Sequence, residues 1–293
     1  MKLPRFLIIG AMKAGTTTLY RDLLANPAVY MPQEKEPNNL CSDEVLTERG
    51  LRDYSSLFAA MRGEQVGGEA STNYTKIPMF AGVPERARRV LGEDVRLIYV
   101  LREPISRAIS HHAHALTTGY TAERDFNIDV RRLEQYLDFS RYAMQASAWL
   151  DVFGPERVML VRFESFVGDR RGTVERVSRF IGVEPRADLV DESAVHNKTS
   201  ERVRNVGPLR VVTASRPYKR FIRPLLSPEV RTRLRRMVLP KAEIHPIGPT
   251  PETIEWMIER LEPDTARLAS LMGQSGPVWD VEKVRSKYAS QKV

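Results

Sequence analysis

The sequence predicts a doubly wound α/β fold, a P-loop-like parallel sheet flanked by helices, with a mostly helical C-terminal part. Three observations carry that expectation. Apolar runs at 6–9, 97–101 and 158–161 lack the alternation of a half-exposed strand and read as strands buried on both faces. Segments with helical periodicity, at 17–25, 85–91, 105–116, 142–153 and 173–181, alternate with them. A glycine-bearing turn, GAMKAGTTTL at residues 10–19, joins the first run directly to the first helix.

Each element has a local reason. The helix at 17–25 starts behind threonines, which favour a helix N-terminus. The run 97–101 ends in Arg102, and Pro104 then falls in the first turn of the next helix, where a missing N–H costs nothing. A shorter run, 65–68, places Glu69 near a further strand end. Beyond about residue 190 the pattern changes to basic and polar stretches at 196–220, then helices at 229–238 and 251–272. No internal repeat appears. The 293 residues fit one large α/β domain, with a core over about 5–200 and a helical and loop extension over about 200–293.

A net charge of +8 favours anionic ligands: nucleotides, sulfated or phosphorylated sugars, nucleic acid or a membrane surface. The single cysteine, Cys41, excludes an intramolecular disulfide framework and points to a reducing compartment. No stretch approaches the roughly 20 apolar residues that span a bilayer, and the first apolar run is too short for a signal peptide. A cytoplasmic protein with no transmembrane segment is the expectation.

Gly10 and Gly15 have the spacing of the triphosphate-binding pattern G-x-x-x-x-G-K-[ST], but Thr16 stands where the lysine belongs and Lys13 lies within the turn. Backbone N–H groups and the positive end of a helix dipole suit such a turn to an anion. A P-loop NTPase or kinase would also need an acidic residue for Mg²⁺ after the next strand, where this chain has Arg102. The turn, with Lys13, Ala14, Gly15, Thr16, Thr17 and Thr18, fits a single 5′-phosphate carrying another group better than a metal-bound triphosphate. A plain strand-to-helix turn with a threonine cap is the alternative reading. A second anion site follows from LREPISRAIS at 101–110: Arg102 at a strand's carboxyl end, where open α/β sheets bind ligands, with Ser110 farther along the helix. Two such sites suggest a nucleotide phosphorylated at two positions.

These residues resemble the sulfotransferases that use 3′-phosphoadenosine 5′-phosphosulfate (PAPS) as donor. Residues 10–19 are similar to that family's 5′-phosphosulfate loop, and Arg102 with Ser110 to its 3′-phosphate site. QEKEP at 33–37, GEASTNY at 68–74, FGPERVMLVRFE at 153–164 and FIG at 180–182 extend the resemblance over about residues 5–200. The Lys-Glu element is nearest to the heparan-sulfate and bacterial branch. The chain departs from that branch at Pro37-Asn38-Asn39-Leu40, where aromatic residues often follow, so a different acceptor pocket is expected. A downstream Lys-Gly-Arg phosphate loop is not evident; Lys198, Arg202 and Arg204 are candidate substitutes, or a solvated basic loop.

The resemblance implies an enzyme that moves a sulfuryl group from PAPS to a small-molecule or glycan acceptor, releasing 3′-phosphoadenosine 5′-phosphate (PAP), with no metal required. Lys13 is expected on the bridging and sulfuryl oxygens, Lys35 opposite it, and Glu36 as general base, with Glu69 as the alternative carboxylate. Either glutamate could instead form a structural ion pair. His111, His112 and His114 lack the partner ligands of a zinc site and read as packing or surface residues. A basic nucleic-acid binder, using 202–236, lacks an accompanying recognition motif.

Overall fold

The computed structural model describes residues 1–193 and 246–289. The helix expected at 229–238, the stretch 202–236 and Lys198, Arg202 and Arg204 lie outside the described residues. In chain order the elements are β1 (Phe6–Gly10), α1 (Thr16–Leu24), β2 (Val29–Tyr30), α2 (Glu48–Ser56), β3 (Val66–Ala70), α3 (Val83–Leu91), β4 (Arg96–Leu101) and α4 (Pro104–Thr118). They continue as α5 (Phe126–Arg132), α6 (Gln135–Asp138), α7 (Tyr142–Phe153), β5 (Val158–Arg162), α8 (Phe163–Gly168) and α9 (Arg170–Phe180). Two further helices, here α10 (Pro251–Leu271) and α11 (Val281–Ala289), follow the undescribed segment.

The strands form one sheet in the order β2-β3-β1-β4-β5, and every pairing is parallel. Parallel strands need crossover connections, which is why helices follow them. The chain first builds outward from β1 through β2 and β3, then crosses to β4 and β5. The crevice at the carboxyl end of β1 is therefore the switch point where such sheets bind ligands.

The strands expected at 6–9, 97–101 and 158–161 are β1, β4 and β5. Every residue of β1 is buried, as is every residue of β4 except Arg96, matching their unbroken apolar runs. Glu69, expected near a strand end, is the penultimate residue of β3, fully buried, and pairs in register with Leu7. The strand VGGEA has little apolar character because β1 supplies its neighbour's bulk; a side chain at Gly68 would collide with the Phe6 ring.

The main core joins the sheet to α1, α3, α7 and α9, and includes Leu268 and Ala269 of α10 with Val278 and Trp279 beyond it. A second cluster places Ile105 and Ala108 of α4 against Phe126, Tyr136 and Leu137, with Ile254, Met257 and Leu261 of α10 and Tyr288 of α11. The C-terminal helices thus pack on both clusters. No helix among the described residues is long and apolar enough to cross a membrane.

Candidate active site

The carboxyl ends of β1, β3 and β4 open into a cavity of about 1190 Å³. One side is the turn after β1. Lys13, Gly15, Thr16, Thr17 and Thr18 line it, so the N-terminus of α1 opens onto the cavity. Gly15 sits at φ 84°, which is left-handed backbone, and an added Cβ would lie 2.8 Å from the Phe163 ring. Both facts require glycine there. Ala14 is fully buried and anchors the turn in the core.

Arg102 joins this side from the end of β4. Its Nη1 donates to the Lys13 carbonyl at 3.0 Å, and its guanidinium lies 5.1 Å from the centroid of the Phe163 ring. The neighbouring Glu103 carboxylate accepts from the Ile105 and Ser106 amides, each at 2.7 Å. That cap satisfies the start of α4 internally, leaving Arg102 and Ser110, both on the cavity wall, to receive an anion with their side chains. Tyr142 fixes the Arg102 backbone: its hydroxyl donates to the Arg102 carbonyl at 2.7 Å.

The loop after β2 supplies the opposite side. The Glu36 amide donates to the Ala70 carbonyl at 2.9 Å and the Asn38 amide to Ser71 Oγ at 3.2 Å, pinning this loop to the end of β3. Lys35 Nζ donates to Glu36 Oε1 at 2.6 Å, and Thr72 Oγ1 donates to the same oxygen at 3.3 Å. Burial works to raise the Glu36 carboxyl, but the charges of Lys35 and Lys76 and the hydrogen bonds from Lys35 and Thr72 together hold it below its ordinary value.

Lys13, Glu36 and Asn38 are the non-glycine residues at positive φ among the described residues, at 69°, 65° and 59°, and all three line the cavity. Left-handed backbone at such residues costs on the order of 1 kcal/mol or more each and persists only where the surroundings impose it. Here the β1–α1 turn and the clamp onto β3 impose it, and they aim Lys13 and Glu36 into one space.

Glu69 does not line the cavity. Burial pushes its carboxyl up to about 7, against the pull of the Tyr74, Tyr54 and Ser71 hydroxyls around it. His111 is 5% exposed and packs on Tyr136 and Phe139, while His112 Nε2 lies 2.8 Å from the Glu123 carbonyl. Among the described residues, no group of three or more His, Cys, Asp or Glu is placed to hold a metal.

The cavity also contains Asn73 and Phe163, which lie inside the GEASTNY and FGPERVMLVRFE motifs but were given no role there, and Lys76, Phe139, Tyr120 and Gln135, which no motif covers. Lys76 stands two positions past the GEASTNY motif, the one signal that could have found it. Its burial lowers the ammonium to about 8, with Glu36 pulling it back upward and Arg107 adding to the fall.

The model of the sulfotransferase family matches residues 4–188. The chain belongs to the sulfotransferase family. Among its relatives is a human heparan sulfate glucosamine 3-O-sulfotransferase 6, 30% identical over 191 residues that cover 62% of this chain and 53% of that protein. Human carbohydrate sulfotransferase 15 is 26% identical over 292 residues, covering 76% of this chain and 52% of that protein. The chain spans about half the length of these curated family members. A sulfotransferase structure from Alicyclobacillus acidocaldarius superposes with a TM-score of 0.67 at 23% identity, covering 94% of this chain and 98% of that one. That likeness shows the shared parallel-sheet fold.

Proposed function

We propose that this chain is a single sulfotransferase domain that transfers a sulfuryl group from PAPS to a hydroxyl or amine of a carbohydrate, lipid or small natural-product acceptor. The observation that carries this reading is one cavity with a cationic helix-start turn and Arg102 on one side and the Lys35–Glu36 pair on the other. Relatives whose names specify heparan sulfate and carbohydrate sulfation support a glycan acceptor first. The single cysteine supports a cytoplasmic setting. A non-catalytic nucleic-acid binder has no comparable support.

The step is an in-line displacement. The acceptor oxygen or nitrogen forms a bond to sulfur, the bond from sulfur to the bridging oxygen breaks, and PAP leaves with that electron pair. Lys13 and the amides at the start of α1 hold the 5′-phosphate and sulfuryl oxygens, while Arg102 and Ser110 hold the 3′-phosphate. Glu36 takes the acceptor proton. Its Oε1 is engaged by Lys35 and Thr72, so the proton goes to Oε2. Lys35 is placed to follow the charge that develops on the sulfuryl group. A positioned base of this kind contributes about 10² to 10⁴ in rate, and preorganised cations at the leaving oxygen contribute comparably.

Thermal unfolding with PAP, AMP, or ATP and Mg²⁺ tests the donor assignment, because a ligand that binds the native state raises apparent stability. PAP should raise Tm most. Stabilisation by ATP and Mg²⁺ alone would overturn the reading in favour of an NTPase. Transfer of labelled sulfate from PAPS to a glycan panel then identifies the acceptor, and Glu36→Gln should reduce it at least a hundredfold.

A further inference from the structure

We propose that Lys76 is a positioning residue for the base: its ammonium is the counter-charge that keeps Glu36 ionised when Lys35 turns toward the sulfuryl oxygens. This rests on the reading of Glu36 as base. Lys76 follows the short turn Thr72–Thr75 behind β3 and lines the acceptor side of the cavity. Its Nζ donates to Asn73 Oδ1 at 2.6 Å and lies 5.3 Å from the centroid of the Phe139 ring. The ammonium is therefore held in place by a neutral amide and an aromatic face. It lines the same cavity as Glu36, and its charge acts to lower the Glu36 carboxyl.

The need for a second cation follows from the hydrogen bonds of Glu36. Lys35 and Thr72 both engage Oε1, at 2.6 and 3.3 Å. If Lys35 moves to the sulfuryl group, the carboxylate keeps one long bond from a neutral hydroxyl. Burial then pushes it toward the protonated form, which cannot accept a proton from the acceptor. Lys76 is the other lysine whose charge opposes that push.

The charged and titratable groups acting on Lys76 are Glu36, Lys35 and Cys41 from the loop after β2, and Arg107 and His111 from α4. Burial pushes the Cys41 thiol up to about 12, while burial and Arg107 drive His111 well below its ordinary value. Neither changes charge between pH 7 and 9. Lys76 itself is lowered to about 8, so its support of Glu36 is present below that pH and is lost above it.

The test is a ¹³C-carboxyl NMR titration of Glu36 in the PAP-bound protein, with the resonance assigned by its absence in Glu36→Gln. Lys76→Met should raise the midpoint by about one pH unit, the expected effect of removing a nearby opposite charge. Lys76→Arg should restore it. A purely structural role for Lys76 would leave the midpoint in place. If Lys76→Met binds PAP and its midpoint does not move, the proposal is overturned while the sulfotransferase reading stands. If PAP fails to raise the wild-type Tm, the donor reading falls and takes the proposal with it. Lys76→Gln provides the same comparison should the methionine variant not fold.

Discussion

Arg102→Gln separates the two anion sites. In the proposed complex Arg102 meets the 3′-phosphate, and a charge-assisted contact of this kind is worth about 1.5–3 kcal/mol. At about 1.4 kcal/mol per tenfold, its loss should weaken PAP by roughly 10- to 150-fold. Arg102 also donates to the Lys13 carbonyl at 3.0 Å and stacks on Phe163, so the variant loosens the 5′ loop as well. That bond has a charged donor and contributes about 1.5–3 kcal/mol, and its loss falls equally on any nucleotide held by the loop. The informative quantity is therefore a ratio. Calorimetric titration of PAP and of 5′-AMP, which lacks the 3′-phosphate, into wild type and variant at fixed ionic strength gives two affinity ratios. The preference for PAP should fall at least tenfold. Equal weakening of both nucleotides would show that Arg102 only braces the loop, and the 3′-phosphate assignment would be wrong.

Gly15→Ala should cost about 1–2 kcal/mol for a left-handed alanine, and its methyl, 2.8 Å from the Phe163 ring, should displace the platform on which Arg102 stacks. PAP binding should fall with Tm; retention of wild-type affinity would refute the fixed-turn argument. Glu69→Gln tests the buried carboxyl by its pH dependence. The folded value of about 7 lies above the unfolded value of 4.5, so the native state holds the proton more tightly. Its stabilising contribution is complete below pH 4.5 and is lost as pH rises to about 7. Denaturant titrations should show wild-type stability falling relative to Glu69→Gln by on the order of 3 kcal/mol across that window, and a pH-independent difference would refute it.

The sequence disclosed most where one physical demand dominated a segment. Buried parallel strands must be apolar on both faces, so β1, β4 and β5 appear as unbroken runs. β3 hides because its glycines make room for Phe6 and its glutamate is surrounded by hydroxyls. β2 is two residues long and leaves no periodicity to read. In the site, Lys13 and Arg102 belong to short motifs at the ends of apolar runs and were visible as such, whereas Lys35 and Glu36 were singled out only through the resemblance to the family. Lys76, Phe139 and Phe163 reach the same cavity from three distant parts of the chain; Phe163 lies inside a quoted motif and Lys76 just past one, but neither motif announces that convergence. Glu69 shows the opposite failure. It sits in a family-like motif, yet it is fully buried and does not line the cavity.

Trp279 gives the packing of the C-terminal region a practical meaning. Its Nε1 donates to Glu164 Oε2 at 3.0 Å, the other oxygen of Glu164 accepts the Glu103 amide at 2.8 Å, and its ring lies against Tyr142, which holds the Arg102 backbone. The segment that matches the family ends at residue 188. A shortened protein built to that boundary would strip Glu164 and Tyr142 of their cover and expose the apolar bed of Leu268 and Val278. A unit for crystallisation, ligand screening or transplantation into another enzyme must therefore extend past Trp279 to Tyr288, which closes the second cluster, well beyond residue 188.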